Sequence, residues 1–398
     1  EFGYAALTLP RRTDPRKIRR RADQFSDAET VLTVGIGGSA LGATTLTDAL
    51  GLDGHRVLDN VDPEHTRRTI EAIDLDRTVL HVVSRSGTTV ETLSNFLLVR
   101  EAMVDADVDW TDRTVVTTGE AGPLRRLSDR HGLPVFDAPD GVPGRFSALS
   151  SVGLFAPAVL GADVDAVIEG ASTAADSLAP SLFDSPAYAY GASMTALEER
   201  GATVNAMVPY AESLEAFAEW FAQLWSESLG KDDGGQTPVR ALGTTDQHSQ
   251  LQRWRAGRRD TVVTLLRPES RPGMRVPDPD VEEVYDDLSP VESSSQYYES
   301  VVNAASNLVT LERKQPGRPK STAGGPTWLG ENLPADYSDP AVARSDYEGD
   351  ATVEPDKRTG FAGFGTVDGI SIVCVPDEHA DGEYWLTDLI RNHCVNEG

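Results

Sequence analysis

Cysteine and lysine are both scarce in this chain of 398 residues: the cysteines are Cys374 and Cys394, and the lysines are Lys17, Lys231, Lys314, Lys320 and Lys357. Two cysteines supply neither a disulfide framework nor a cysteine-based metal cluster. No apolar run reaches transmembrane length, and nothing resembles a secretion signal, so no membrane partner is expected. The basic cluster from Arg11 to Arg21 reads as a solvated helix face rather than a targeting segment. No Gly-x4-Gly-Lys-Ser/Thr sequence occurs, which excludes a nucleoside-triphosphate P-loop. Basic side chains are outnumbered, 36 Lys and Arg against 63 Asp and Glu, for a net charge of −27. That balance argues against nucleic acid as a partner. With arginine standing in for lysine, it predicts a cytoplasmic protein adapted to high salt, where self-repulsion is screened.

Two short loops carry the strongest positive signal. Gly35-Ile36-Gly37-Gly38-Ser39 follows the β-type run 31–34, and Ser84-Arg85-Ser86-Gly87-Thr88-Thr89 follows the run 79–83. Each then opens an amphipathic stretch, giving strand, tight turn and helix. Glycine lets backbone approach a ligand, and a helix N-terminus offers free N–H groups and a positive dipole end. Hydroxyls on Ser39, Ser84, Ser86, Thr88 and Thr89 add donors suited to phosphate oxygens. Two such loops about 45 residues apart point to one phosphate held between neighbouring βα units, hence to a small phosphorylated molecule. Gly35-x-Gly37-x-x-Ala40 with Asp59 also fits a relaxed dinucleotide fingerprint, but that reading leaves the hydroxyl-rich second loop unexplained.

Further along, Arg145 stands in Gly144-Arg145-Phe146-Ser147, ahead of a helix-like stretch from Ala148 to Leu160. Phe217 to Trp225 reads as helix, with Phe217, Phe221, Leu224 and Trp225 available for a core. Gln223 and Glu227, four apart, share a face at its end. Thr244 to Gln250 reads as a polar loop carrying His248. Carboxylate, guanidinium and imidazole are the set needed to move a proton beside a sugar carbonyl. The first shuttles the proton, the second stabilises an enediolate, and the third exchanges protons near neutral pH. Taken singly, Glu227 also fits a solvated helix end, Arg145 a structural ion pair and His248 a hydrogen-bonded loop residue.

Together these segments resemble the glucose-6-phosphate isomerase family of the sugar-isomerase superfamily, in the family's order, from residue 1 to about 275. The matching motifs are the two loops, Gly144-Arg145-Phe146-Ser147, Glu227-Ser228-Leu229-Gly230-Lys231 and Asp246-Gln247-His248-Ser249. The resemblance implies an isomerase of glycolysis and gluconeogenesis that interconverts glucose 6-phosphate and fructose 6-phosphate through a cis-enediolate, with no metal or redox cofactor. Ser39, Ser84, Arg85, Ser86 and Thr89 would bind the phosphate, while Gly38 and Gln223 would meet the sugar. Glu227 would carry the proton between C2 and C1, Arg145 would stabilise the enediolate, and His248 would open the ring from the partner subunit of a homodimer. Arg85 stands where lysine is common, and Pro143 where glycine is common. The family's closing Asp-Gln-Pro-Gly-Val-Glu motif and its lysine are not matched. Gln315-Pro316-Gly317-Arg318-Pro319-Lys320 leaves Lys320 as a surrogate.

The expected fold is α/β: two doubly wound, three-layer αβα sugar-isomerase domains followed by an α/β or irregular C-terminal region. The first domain spans 1–160, with strands near 31–35, 56–60, 79–83, 114–118 and 134–136. The second spans 161–276, with strands near 203–208, 239–242 and 261–266 and both Glu227 and His248. Pro268, Pro272, Pro277 and Pro279 mark a linker. Residues 283–398 resemble contractile tail-sheath proteins of phages, on segments 284–289, 297–309, 359–377 and 392–394, with a strand expected around Val367 to Val375 closed by Pro376. The rival functions are therefore a sheath-like assembly subunit with a relic isomerase portion, and a non-catalytic phosphosugar-binding module.

Overall fold

The β-branched runs separated by amphipathic stretches do form alternating strands and helices. The computed structural model describes residues 2–178, 184–268 and 370–373. By their contacts, Glu1–Leu178 and Glu212–Ser228 make one compact unit, and Ala179–Ala211 with Leu229–Gly398 make another. The segment holding Glu227 thus groups with the first sheet, an exchange that a linear division at residue 160 does not anticipate.

In the first unit, β1 (Thr30–Val34), β2 (His55–Leu58), β3 (Thr78–Ser84), β4 (Thr114–Thr118) and β5 (Val135–Asp137) form one sheet in the order β2-β1-β3-β4-β5. All four pairings are parallel, with Val31 opposite His55 and Val79, and Val82 opposite Val116. Alternate side chains along the strands serve two cores, as a sheet covered on both faces requires. Val31, Val79 and Val115 pack with Ile18, Phe25, Leu154 and Phe155. Leu32, Leu80, Val82 and Val116 pack with Phe96, Val99, Met103 and Leu124. The strand order reverses direction between β1 and β3, and crevices at such switch points, beyond the carboxyl ends of the strands, are where α/β sheets bind ligands. Both hydroxyl-bearing loops leave the sheet there.

In the second unit, β6 (Val204–Pro209), β7 (Thr237–Arg240) and β8 (Thr261–Leu266) run parallel in the order β7-β6-β8, over a core of Ala206, Val208, Tyr210, Ala241, Trp254, Val263 and Leu265. A fourth strand, β9 (Ile370–Val373), pairs antiparallel with β8, Val373 opposite Val263. It falls inside the stretch read as a strand. The other sheath-like segments and Lys320 lie outside the described residues.

Three local expectations need correction. The single helix from Ala148 to Leu160 is instead a 3-10 segment (Gly144–Leu149) and an α-helix (Ser151–Val159), because Ser150 is extended and its hydroxyl caps the N–H of Val152 at 3.2 Å. The polar loop at 244–250 is largely helix, Thr245–Ala256, so His248 stands in a first helical turn. No side chain caps that helix; Asp246 in its first turn reaches back, its carboxylate accepting from the N–H of Leu242 at 2.7 Å. In the helix Glu215–Leu229 the fully buried positions belong to Ala216 and Ala218, while Phe217, Phe221, Leu224 and Trp225 are half-buried.

Candidate active site

The first loop leaves β1 through a 3-10 turn, Gly37–Ser39, and enters the helix Leu41–Ala49 at Ala40, where no side chain caps the first N–H groups. The second leaves β3 at Ser84 and enters the helix Val90–Asp105 at Thr89. Thr89 does not cap that helix either; its hydroxyl pairs with Ser84 Oγ at 2.9 Å. Ser84 is buried, and its Oγ also accepts from the N–H of Gly87 at 3.1 Å. Ser86 Oγ accepts from Thr88 Oγ1 at 2.9 Å and from the Thr88 N–H at 3.2 Å. Gly87 sits at φ +65°, the left-handed region open to glycine. Arg85 reaches out of this loop, and its guanidinium donates to the Val142 carbonyl. A small cavity is lined by Ser39 and Arg85 together with Val83, Val142, Gly144 and Ser147.

Gly38 is buried against the segment carrying Arg145. A Cβ there would lie 2.4 Å from the Gly144 carbonyl carbon and 2.5 Å from the Arg145 nitrogen. Ser147 Oγ fastens the same approach, donating to Gly144 O at 2.6 Å with Gly38 O at 3.3 Å. The loop at β1 and the turn at 144–147 are therefore one packed object.

The helix Glu215–Leu229 completes the arrangement within this unit. Gln223 Nε2 donates to Glu227 Oε1 at 2.9 Å, as residues four apart allow. Arg145 Nη1 donates to Glu227 Oε2 at 3.1 Å. The arginine side chain is 16 % exposed and the glutamate 49 %. One Glu227 oxygen thus faces an amide and the other a guanidinium, with part of the carboxylate open to a ligand.

Three further residues hold this pair and carried no role in the sequence reading. Ser228 Oγ accepts from Arg145 Nε at 3.0 Å, Trp220 Nε1 donates to Arg145 O at 2.8 Å, and the Phe146 ring centre lies 4.9 Å from the Arg145 guanidinium carbon. One signal was available: Trp220, Gln223 and Glu227 recur at helical spacing. Ser39, Ser84, Arg85, Ser86, Thr89, Gly38, Arg145, Gln223 and Glu227 all belong to the first unit. His248 belongs to the second and is exposed, its N–H bonded to Thr244 O at 2.9 Å.

A parallel sheet with two hydroxyl-lined loops at its switch point, beside a carboxylate–guanidinium pair, defines an α/β protein of the sugar-isomerase type. The family model described as phosphoglucose isomerase matches residues 20–245. The chain belongs to that family. It is 64% identical over 286 residues to a probable glucose-6-phosphate isomerase of Haloarcula marismortui, covering 71% of this chain and 66% of the relative. With the glucose-6-phosphate isomerase of Rubrobacter xylanophilus it shares 38% identity over 332 residues, 79% of this chain and 75% of the relative. The chain thus spans slightly less than two thirds of the haloarchaeal relative's length. Among solved structures, a hypothetical protein of Thermus thermophilus superposes with a TM-score of 0.69 at 34% identity, over 76% of this chain and 75% of that one. A glucose-6-phosphate isomerase of Chlamydia trachomatis gives 0.61 at 25% identity, over 79% and 66%. No helix among the described residues is long and apolar enough to cross a membrane.

Proposed function

We propose that this chain is a glucose-6-phosphate isomerase, interconverting glucose 6-phosphate and fructose 6-phosphate by proton transfer between C2 and C1. The observation that carries the reading is the Glu227 carboxylate held between Gln223 and Arg145, in the unit that also bears both phosphate-type loops. The relatives named for that activity support it. Hydroxyls of Ser39, Ser84, Ser86 and Thr89, the N–H groups opening the two helices, and Arg85 bind the phosphate. Glu227 removes the proton from C2 of the open-chain aldose while the C1 carbonyl electrons move onto oxygen, giving the cis-enediolate. The same carboxyl group returns the proton to C1 while the O2 hydroxyl proton passes to O1, leaving a hydroxyl at C1 and the ketone at C2. Arg145, within a hydrogen bond of the base, stabilises the charge on the enediolate oxygens. Gly38 and Gln223 shape the sugar subsite. His248, supplied by the partner subunit of a homodimer, opens the ring near neutral pH. The reading includes a cytoplasmic location and use of mannose 6-phosphate only to the extent that its C2 configuration is tolerated.

The test is conversion of fructose 6-phosphate to glucose 6-phosphate in several molar KCl, beside Glu227→Gln. The wild type should turn over, and the variant should lose about 10²–10⁴-fold in kcat while melting normally. A folded wild-type chain that binds fructose 6-phosphate without converting it would replace the isomerase by a phosphosugar-binding module.

A further inference from the structure

Resting on the proposed isomerase reading, we infer that Ser228 and Trp220 are positioning residues that set the orientation of Arg145. An arginine guanidinium is a planar fork on a long, rotatable stem, and its value at a reacting oxygen depends on being held before the charge develops. Here the stem is fixed from both ends. At its root, the Trp220 indole N–H holds the Arg145 carbonyl at 2.8 Å. At its tip, the Ser228 hydroxyl takes the Nε–H at 3.0 Å. Phe146 lies against the guanidinium, its ring centre 4.9 Å from Cζ. With Nε bonded to Ser228, Nη1 faces Glu227 at 3.1 Å, and the rest of the fork has donors to offer substrate oxygens.

The helix explains why one element can do both. Trp220 stands seven residues before Glu227 and Ser228 directly after it, so a helix that aims the base also aims the arginine's two anchors. Base and charge stabiliser are then kept in register by one rigid body rather than by two loops. All four residues lie in the first unit, and neither Ser228 nor Trp220 needs to touch substrate.

The experiment uses the full chain in KCl, with thermal melts to show that each variant is folded. Ser228→Ala should lower kcat about 10-fold with KM for fructose 6-phosphate within about twofold, because an interaction felt in the transition state is lost. Ser228→Thr, which restores a hydroxyl, should recover the rate. Trp220→Phe, which keeps an aromatic ring but no N–H donor, should lose about 3-fold. In an Arg145→Ala background, Ser228→Ala should cost nothing further, whereas a merely structural role would cost the same again. A second readout is independent of turnover: ¹⁵N NMR of arginine Nε–H groups, with the Arg145 signal assigned by its loss in Arg145→Lys. Hydrogen exchange at that site should quicken in Ser228→Ala and return to the wild-type rate in Ser228→Thr. Unchanged exchange, or additive rate losses, would overturn the inference. An inactive wild type would instead overturn the isomerase reading, with the exchange data still deciding whether Ser228 holds Arg145.

Discussion

His55 and His81 are held neutral inside the first unit. Burial pushes His55 from 6.5 down to about 4, with Arg56 adding repulsion, and pushes His81 down to about 3, with His55 adding repulsion. His55 shares its ring nitrogens with Thr33 Oγ1 at 2.9 Å and Thr47 Oγ1 at 3.1 Å, while His81 Nε2 meets Thr117 Oγ1 at 2.8 Å and the ring packs edge-on against Phe155. The unfolded chain takes up these protons near pH 6.5, whereas the folded chain resists until about 4 and about 3. Stability from these groups is therefore complete above pH 6.5 and declines as pH falls below it, at roughly 1.4 kcal/mol per pH unit for each histidine. Denaturant titrations between pH 7.5 and 4.5 should show that slope, and His55→Gln, which keeps polar atoms for Thr33 and Thr47, should shed part of it. A slope unaltered in the variant would place the acid sensitivity elsewhere.

At the level of elements, the site is an encounter of two turns and one helix. The approach of the Gly37–Ser39 turn to Gly144–Arg145 leaves no room for a side chain at Gly38. Because both opposing atoms are main chain, nothing can swing aside. Gly38→Ala should thus destabilise the protein by about 1–3 kcal/mol, the usual cost of overpacking. It should also reduce turnover, since the displaced segment carries Arg145. A variant with wild-type stability and rate would mean that the turns separate readily. By contrast, Gly144 itself has open space where its Cβ would be, so Gly144→Ala serves as the control for stability.

Over the whole molecule, charge is the dominant feature. The net −27 repels itself at low ionic strength, while surface pairs such as Arg67 with Glu64 and Glu71, or Arg113 with Asp27, give local relief. Exposed pairs contribute about 0–1 kcal/mol each and weaken in salt, so they do not offset the global repulsion. Screening at about 3 Å in molar salt removes that repulsion. The melting temperature should therefore rise, by on the order of 10 °C, from 0.1 to 3 M KCl. A falling melting temperature would make the local pairs the stronger influence.

β-branched apolar runs and glycine punctuation located β1 to β8 to within a residue or two, because strand burial and turn conformation are local demands on side-chain type. The spacing of Gln223 and Glu227 likewise announced a shared helix face, now a 2.9 Å hydrogen bond. The helix under His248 was hidden by polar residues that serve loops and helix starts equally well. Nothing in the linear order disclosed that residues 212–228 return to the first sheet's unit, that Gly38 abuts Arg145, or that Ser228 and Trp220 hold the arginine. Those contacts join distant segments, with separations of 75, 83 and 109 residues at Trp220, Ser228 and Ser147. Periodicity reports which face of an element is apolar, but which elements meet is settled by how their surfaces fill space together.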